Sequence, residues 1–106
     1  MKYLWTAEYS ATGAAGAIKD GGTGRKAGIE ALVAGAGGTL EACYFSGDST
    51  GVVLIVDVPD QEAVSAVLFT IRASGAIQGF TVTPLLTAEQ LDAAMVKSPA
   101  YTPPGS

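Results

Sequence analysis

Two periods run through the chain, and they separate strands from helices. Residues 2–9, KYLWTAEY, alternate, with Tyr3, Trp5, Ala7 and Tyr9 on one face and Leu4, Thr6 and Glu8 on the other. Residues 10–24 are rich in Gly, Ala, Ser and Thr, which predicts a loop with one helical turn. From Thr23 to Ala34 the period changes: Ile29, Leu32 and Val33 form an i, i+3, i+4 stripe, and GAGG at 35–38 stops the helix. Residues 39–45 and 51–58 read as two strands joined by the turn SGDST, hence as an antiparallel hairpin. The second of these strands, GVVLIVDV, is apolar at nearly every position, the mark of a strand covered on both faces.

Pro59 and Asp60 open a second helix, with Pro in the first turn and Asp60 as cap. Its stripe is Val64, Val67, Leu68 and Ile71, and Gly75 ends it. Residues 77–83 form a fourth strand. Thr87 and Gln90 make a capping box for a short third helix, with Leu86 and Leu91 as a hydrophobic staple. The order β-α-β-β-α-β plus a helix predicts an α+β, ferredoxin-like domain over residues 1–97. Its four-stranded antiparallel sheet carries both long helices on one face. The extended, Pro-rich residues 98–106 form a tail, with Tyr101, Pro103 and Pro104 either as an arm for a neighbouring subunit or as a frayed end. The sheet face without helices calls for cover, and a second subunit supplies it.

Composition narrows the chemistry. The chain has no histidine and one cysteine, so the commonest general base and the commonest zinc ligand are both missing and no disulfide closes within the chain. No metal or cofactor is expected. A net charge of −4 with six basic residues argues against nucleic acid and against an anionic membrane surface. The longest apolar run, Val52 to Val56, is too short for a membrane span, no leader segment is read at the amino terminus, and the lone thiol fits a cytoplasmic setting.

Gly47-Asp48-Ser49-Thr50-Gly51 fits the G-x-S-x-G pattern of a nucleophile elbow, but a strand rather than a helix follows it and no histidine stands ready as base. The turn reading therefore wins. GGTGRK at 21–26 has glycines and two bases at a helix start, yet misses the phosphate-loop pattern and does not follow a strand. Cys43 reads as a small buried hydrophobe. Glu8, Glu41 and Asp57 lie in strands with a parity that places them on the helix-free face. They are the candidate catalytic bases if burial raises their pKa values; otherwise Asp57 and Glu41, near strand ends, are solvated or paired with Arg72 or Lys2. Thr6, Cys43, Phe45 and Asp48 are candidate ligand-binding residues. Trp5, Tyr3 and Tyr9 read as a helix-packing face, with pocket lining as the lesser reading.

The segments LEACYF, VVLIVDVPD, ASGAI, TVTPLLTAEQLDAA and YTPPG, with the amino-terminal YLWTAEYSATGAAGAIKDGG, resemble the GYD-domain family over nearly the whole chain. The resemblance implies a ferredoxin-like fold associating as a dimeric α/β barrel or a higher homo-oligomer, and it carries over no catalytic residue. The chain departs from the name-giving Gly-Tyr-Asp pattern, having Thr50 and Gly51 at the start of the third strand, with Asp48 as the nearby acidic substitute. The expected function is a small-molecule-binding or accessory/assembly module. One alternative is a cofactor-independent isomerase, cyclase or monooxygenase using a strand carboxylate as base. The other is a purely structural self-assembling protein.

Overall fold

The structure, a computed structural model, describes residues Met1–Ser106. Its elements in chain order are β1 (Lys2–Tyr9), α1 (Ala11–Gly35), β2 (Thr39–Phe45), β3 (Gly51–Asp57), α2 (Gln61–Ser74), β4 (Ile77–Leu85) and α3 (Ala88–Lys97). The four strands form one antiparallel sheet in the order β2-β3-β1-β4. This is the expected split βαβ arrangement.

The alternation in β1 translates directly into layers. Tyr3, Trp5 and Ala7 register with Val56, Leu54 and Val52 of β3. With Ile29 and Val33 of α1 and Val64 and Val67 of α2, these residues make the core. Val33, Val56, Val58, Val64 and Val67 are fully buried, each worth about 1.5–2 kcal/mol of apolar transfer. On the opposite, open face Lys2, Leu4 and Thr6 register with Asp57, Ile55 and Val53.

Helix α1 corrects the expected loop at 10–24. The chain turns helical at Ala11 because Ser10, in extended conformation, accepts a hydrogen bond on its side chain from the Gly13 amide at 3.1 Å. The glycines here are not all breakers. A Cβ on Gly13 would lie 1.9 Å from the Ala76 carbonyl oxygen, so glycine is what lets α1 close against the start of β4. The helix is interrupted only at Gly21, whose φ of 75° and ψ of 167° kink it.

Three boundaries also differ from expectation. Pro59 lies outside α2, and Asp60 caps the helix by accepting from the Ala63 amide at 2.9 Å. Strand β4 continues through Pro84 to Leu85, which its place at the sheet edge permits. Strand β3 ends at Asp57. Gly75 closes α2 in the left-handed conformation, φ 72°. The Thr87–Gln90 capping box of α3 is present, but α3 buries no residue, and Leu86 and Leu91 are both exposed. The radius of gyration is 16.9 Å, against about 13 Å for a compact chain of this length. Helix α3 and the segment after it make an arm rather than part of the core.

Candidate functional site

Between the sheet and the two long helices lies a cavity of about 200 Å³. Strand β1 supplies Trp5, Ala7 and Tyr9, α1 supplies Arg25 and Ile29, and α2 supplies Ile71 among others. Alternation in β1 aims its aromatics at this layer. The helical period does the same for Arg25, which sits four residues before Ile29 on the stripe that continues to Leu32 and Val33. The wall is almost entirely apolar, and no carboxylate belongs to it. Trp5 is 3% exposed, and its Nε1–H has no hydrogen-bond partner; the buried Tyr9 hydroxyl has none either. Arg25 lies 3.6 Å from Asp20 Oδ2, beyond a good hydrogen bond.

The three candidate carboxylates do not form one site. Glu41 and Asp57 both gather around Lys2 at one end of the sheet, and Asp57 also accepts from the amino-terminal ammonium at 3.1 Å. A register shift between Leu40 and Ala42 turns Glu41 toward Lys2. It thereby separates Glu41 from Cys43 and Phe45, which the strict alternation had put on its face. The amino-terminal ammonium first, then Lys2, holds the Asp57 carboxyl below the usual aspartate range. That is opposite to the raised value expected of a buried base. Lys2 is raised in turn, chiefly by Glu41 and then by Asp57. Arg72 pairs with none of these groups; its guanidinium lies over the Phe80 ring, 4.7 Å from the centroid.

Glu8 stands at the far end of β1, where its carboxylate accepts from Gln78 Nε2 at 2.9 Å. With Thr6, Thr50 and Thr81 it lines a broader, more open depression of about 380 Å³ on the helix-free face. Cys43 registers with Leu54 and packs against the core, and burial raises its thiol pKa despite the opposing pull of Lys26. Phe45 registers with Val52 and lies toward Gly22 of α1. Asp48 is committed to its own turn. It accepts from the Thr50 hydroxyl at 2.6 Å and the Thr50 amide at 3.0 Å, and these bonds, the hydroxyl first, lower its pKa. Ser49 occupies a left-handed turn position, φ 70°, and β3 follows, as the turn reading requires.

The model of the GYD domain matches residues 3–95. The chain belongs to the GYD-domain family. A search of curated proteins found no match. Among solved structures, this GYD-domain protein is similar to the 5-chloro-2-hydroxyhydroquinone dehydrochlorinase of Burkholderia phenoliruptrix, solved in complex with 2,5-dihydroxybenzoquinone. The TM-score is 0.52 at 17% identity, covering 84% of this chain and 97% of that one. At that identity the likeness shows a shared fold. The cavity of this GYD domain was partly legible beforehand. Parity placed Trp5 and Tyr9 under the helices, and Arg25 falls on the apolar stripe of α1. That the three line one space was not legible, because Arg25 was read only as part of the GGTGRK helix start.

Proposed function

We propose that this GYD-domain protein is a small-molecule-binding module whose site is the cavity between sheet and helices, and that it works as a homo-oligomer covered on its open face. The carrying observation is an apolar cavity of about 200 Å³ with two buried, unpartnered polar groups on its lining residues. An engineered apolar cavity of roughly 150 Å³ takes up benzene, so this one has room for a single substituted ring. Oligomerisation is supported by exposed apolar groups: Tyr44 on β2, Leu86 just before α3, Leu91 and Met95 on α3, and Tyr101 in the tail. In this reading the tail from residue 98 latches onto a neighbouring subunit, and the setting is the reducing cytoplasm.

Native mass spectrometry of the purified protein tests both parts, since it reports subunit number and retained small-molecule mass together. The reading expects an oligomer with a reproducible added mass, which Ile71→Trp removes by filling the cavity while the subunit number stays. A monomer that retains nothing and takes up no added one-ring compound would sink it. The second reading is the enzyme, and one observation favours it: Glu8 and Thr6 share the depression on the open face, where a partner sheet would exclude water. The structural neighbour is named as a dehydrochlorinase, in keeping with an enzyme on this fold. There Glu8→Gln would abolish turnover and leave folding and cavity binding intact.

A further inference from the structure

The polar groups of the cavity wall can be accounted for one at a time, and what remains unsatisfied is of one kind. Thr70 donates its hydroxyl proton to the Ala66 carbonyl at 2.7 Å. Ser74 donates to the Ile71 carbonyl at 2.6 Å and accepts from the Ala76 amide at 3.1 Å. Both hydroxyl protons are therefore spent within α2 and its C-terminal turn. Left without a partner are the buried Trp5 Nε1–H and Tyr9 hydroxyl; beside them the partly exposed Arg25 guanidinium lines the same wall and holds only its loose ion pair to Asp20. Trp and Arg can only donate, and Tyr can donate. No Asp or Glu lies in the wall to accept from them. The two buried groups cost free energy until an acceptor reaches them.

We infer that the cavity takes a one-ring organic anion, a ring bearing a carboxylate or phenolate oxygen. Its ring lies against the apolar wall, and its oxygens accept from Trp5, Tyr9 and Arg25. The inference rests on the cavity being a binding site. Arg25 suits the charged end: its planar guanidinium offers paired donors to a carboxylate, and its present acidic neighbour, Asp20, sits at 3.6 Å, a contact loose enough to yield. The chain's net charge of −4 offers anions no general attraction, so any preference for them must come from this local group.

Trp5 is the only tryptophan, so its fluorescence reports on the cavity without labelling. The experiment titrates the full chain with benzoate, benzamide and toluene, which share a ring and differ in charge and polarity. Benzoate is expected to bind at least tenfold more tightly than benzamide. Arg25→Gln is expected to erase that margin while leaving benzamide and toluene unchanged, and Arg25→Lys to keep part of it. Tyr9→Phe is expected to weaken benzoate severalfold. Equal binding of benzoate and benzamide by the unaltered protein overturns the inference and leaves the cavity as a neutral apolar site. So does an Arg25→Gln protein, folded by circular dichroism, that still prefers benzoate. Failure of all three compounds to change the Trp5 signal overturns the cavity reading as well.

Discussion

Helices α2 and α3 begin in the same way and end up in different situations. Each starts at a capping side chain, Asp60 accepting from the Ala63 amide and Thr87 from the Gln90 amide. Each carries an acidic residue in its first turn and a basic one in its last. Yet α2 buries Ala63, Val64 and Val67, and α3 buries nothing. Local signals set where a helix starts and stops. Whether its apolar side is worth anything depends on there being a surface for it. For α2 that surface is the helix-covered face of the sheet, where it runs against β4, and the cavity lies where the covering is incomplete. For α3 the monomer offers none, and Leu91, Met95 and Val96 stay in solvent.

Substitutions can break this contrast, and the most severe is Val67→Asp. It places a carboxylate where the side chain is almost fully buried and is expected to cost upwards of about 4 kcal/mol, enough to leave the chain unfolded by circular dichroism at room temperature. A matched pair of truncations comes next. In urea denaturation Val64→Ala is expected to cost about 2 kcal/mol, and Leu91→Ala under about 0.5 kcal/mol in a dilute monomer. If Leu91→Ala becomes as costly as Val64→Ala when protein concentration rises, α3 is buried against a second copy. The caps give a smaller contrast. Asp60→Ala is expected to lower global stability by about 1 kcal/mol, whereas Thr87→Ala frays α3 alone, seen as faster amide exchange there at unchanged midpoint.

The smallest effects are electrostatic. The Asp57 pKa is depressed in the folded chain by the amino terminus and Lys2. Its stabilisation is therefore present above the ordinary aspartate range and lost as pH falls through the lowered folded value, that is, below about 4. The Lys2 pKa is raised, so its share is present at neutral pH and lost as pH climbs past the ordinary lysine range, above about 10. Asp57→Asn is expected to flatten the acid limb of stability against pH, and salt to weaken both limbs. An unchanged acid limb would show that this surface cluster contributes nothing measurable.

The same contrast explains what could be read from the sequence. The layers, strand order class and α2 were legible because alternation and the Val64–Ile71 stripe are unambiguous and each strand has a face to bury. The first half of α1 was not, because Ala and Gly carry no amphipathic signal. Its helicity depends instead on a Ser10 cap and on the close approach of Gly13 to Ala76, a contact between residues 63 positions apart that local sequence does not announce. The carboxylates Glu8, Glu41 and Asp57 were placed by parity. The bulge at Glu41 and the shared attraction of Lys2 then distributed them in a way that alternation alone does not encode.

The central claim is that small molecules enter on the helix-covered side of the sheet. Its most direct test is a two-dimensional nitrogen–proton spectrum during titration with benzoate. The Trp5 indole N–H, a single resolvable signal, and the amides around Arg25 and Ile71 are predicted to shift together and saturably. Shifts confined to Thr6, Glu8 and Thr81 on the open face, with the indole signal unmoved, would contradict the account.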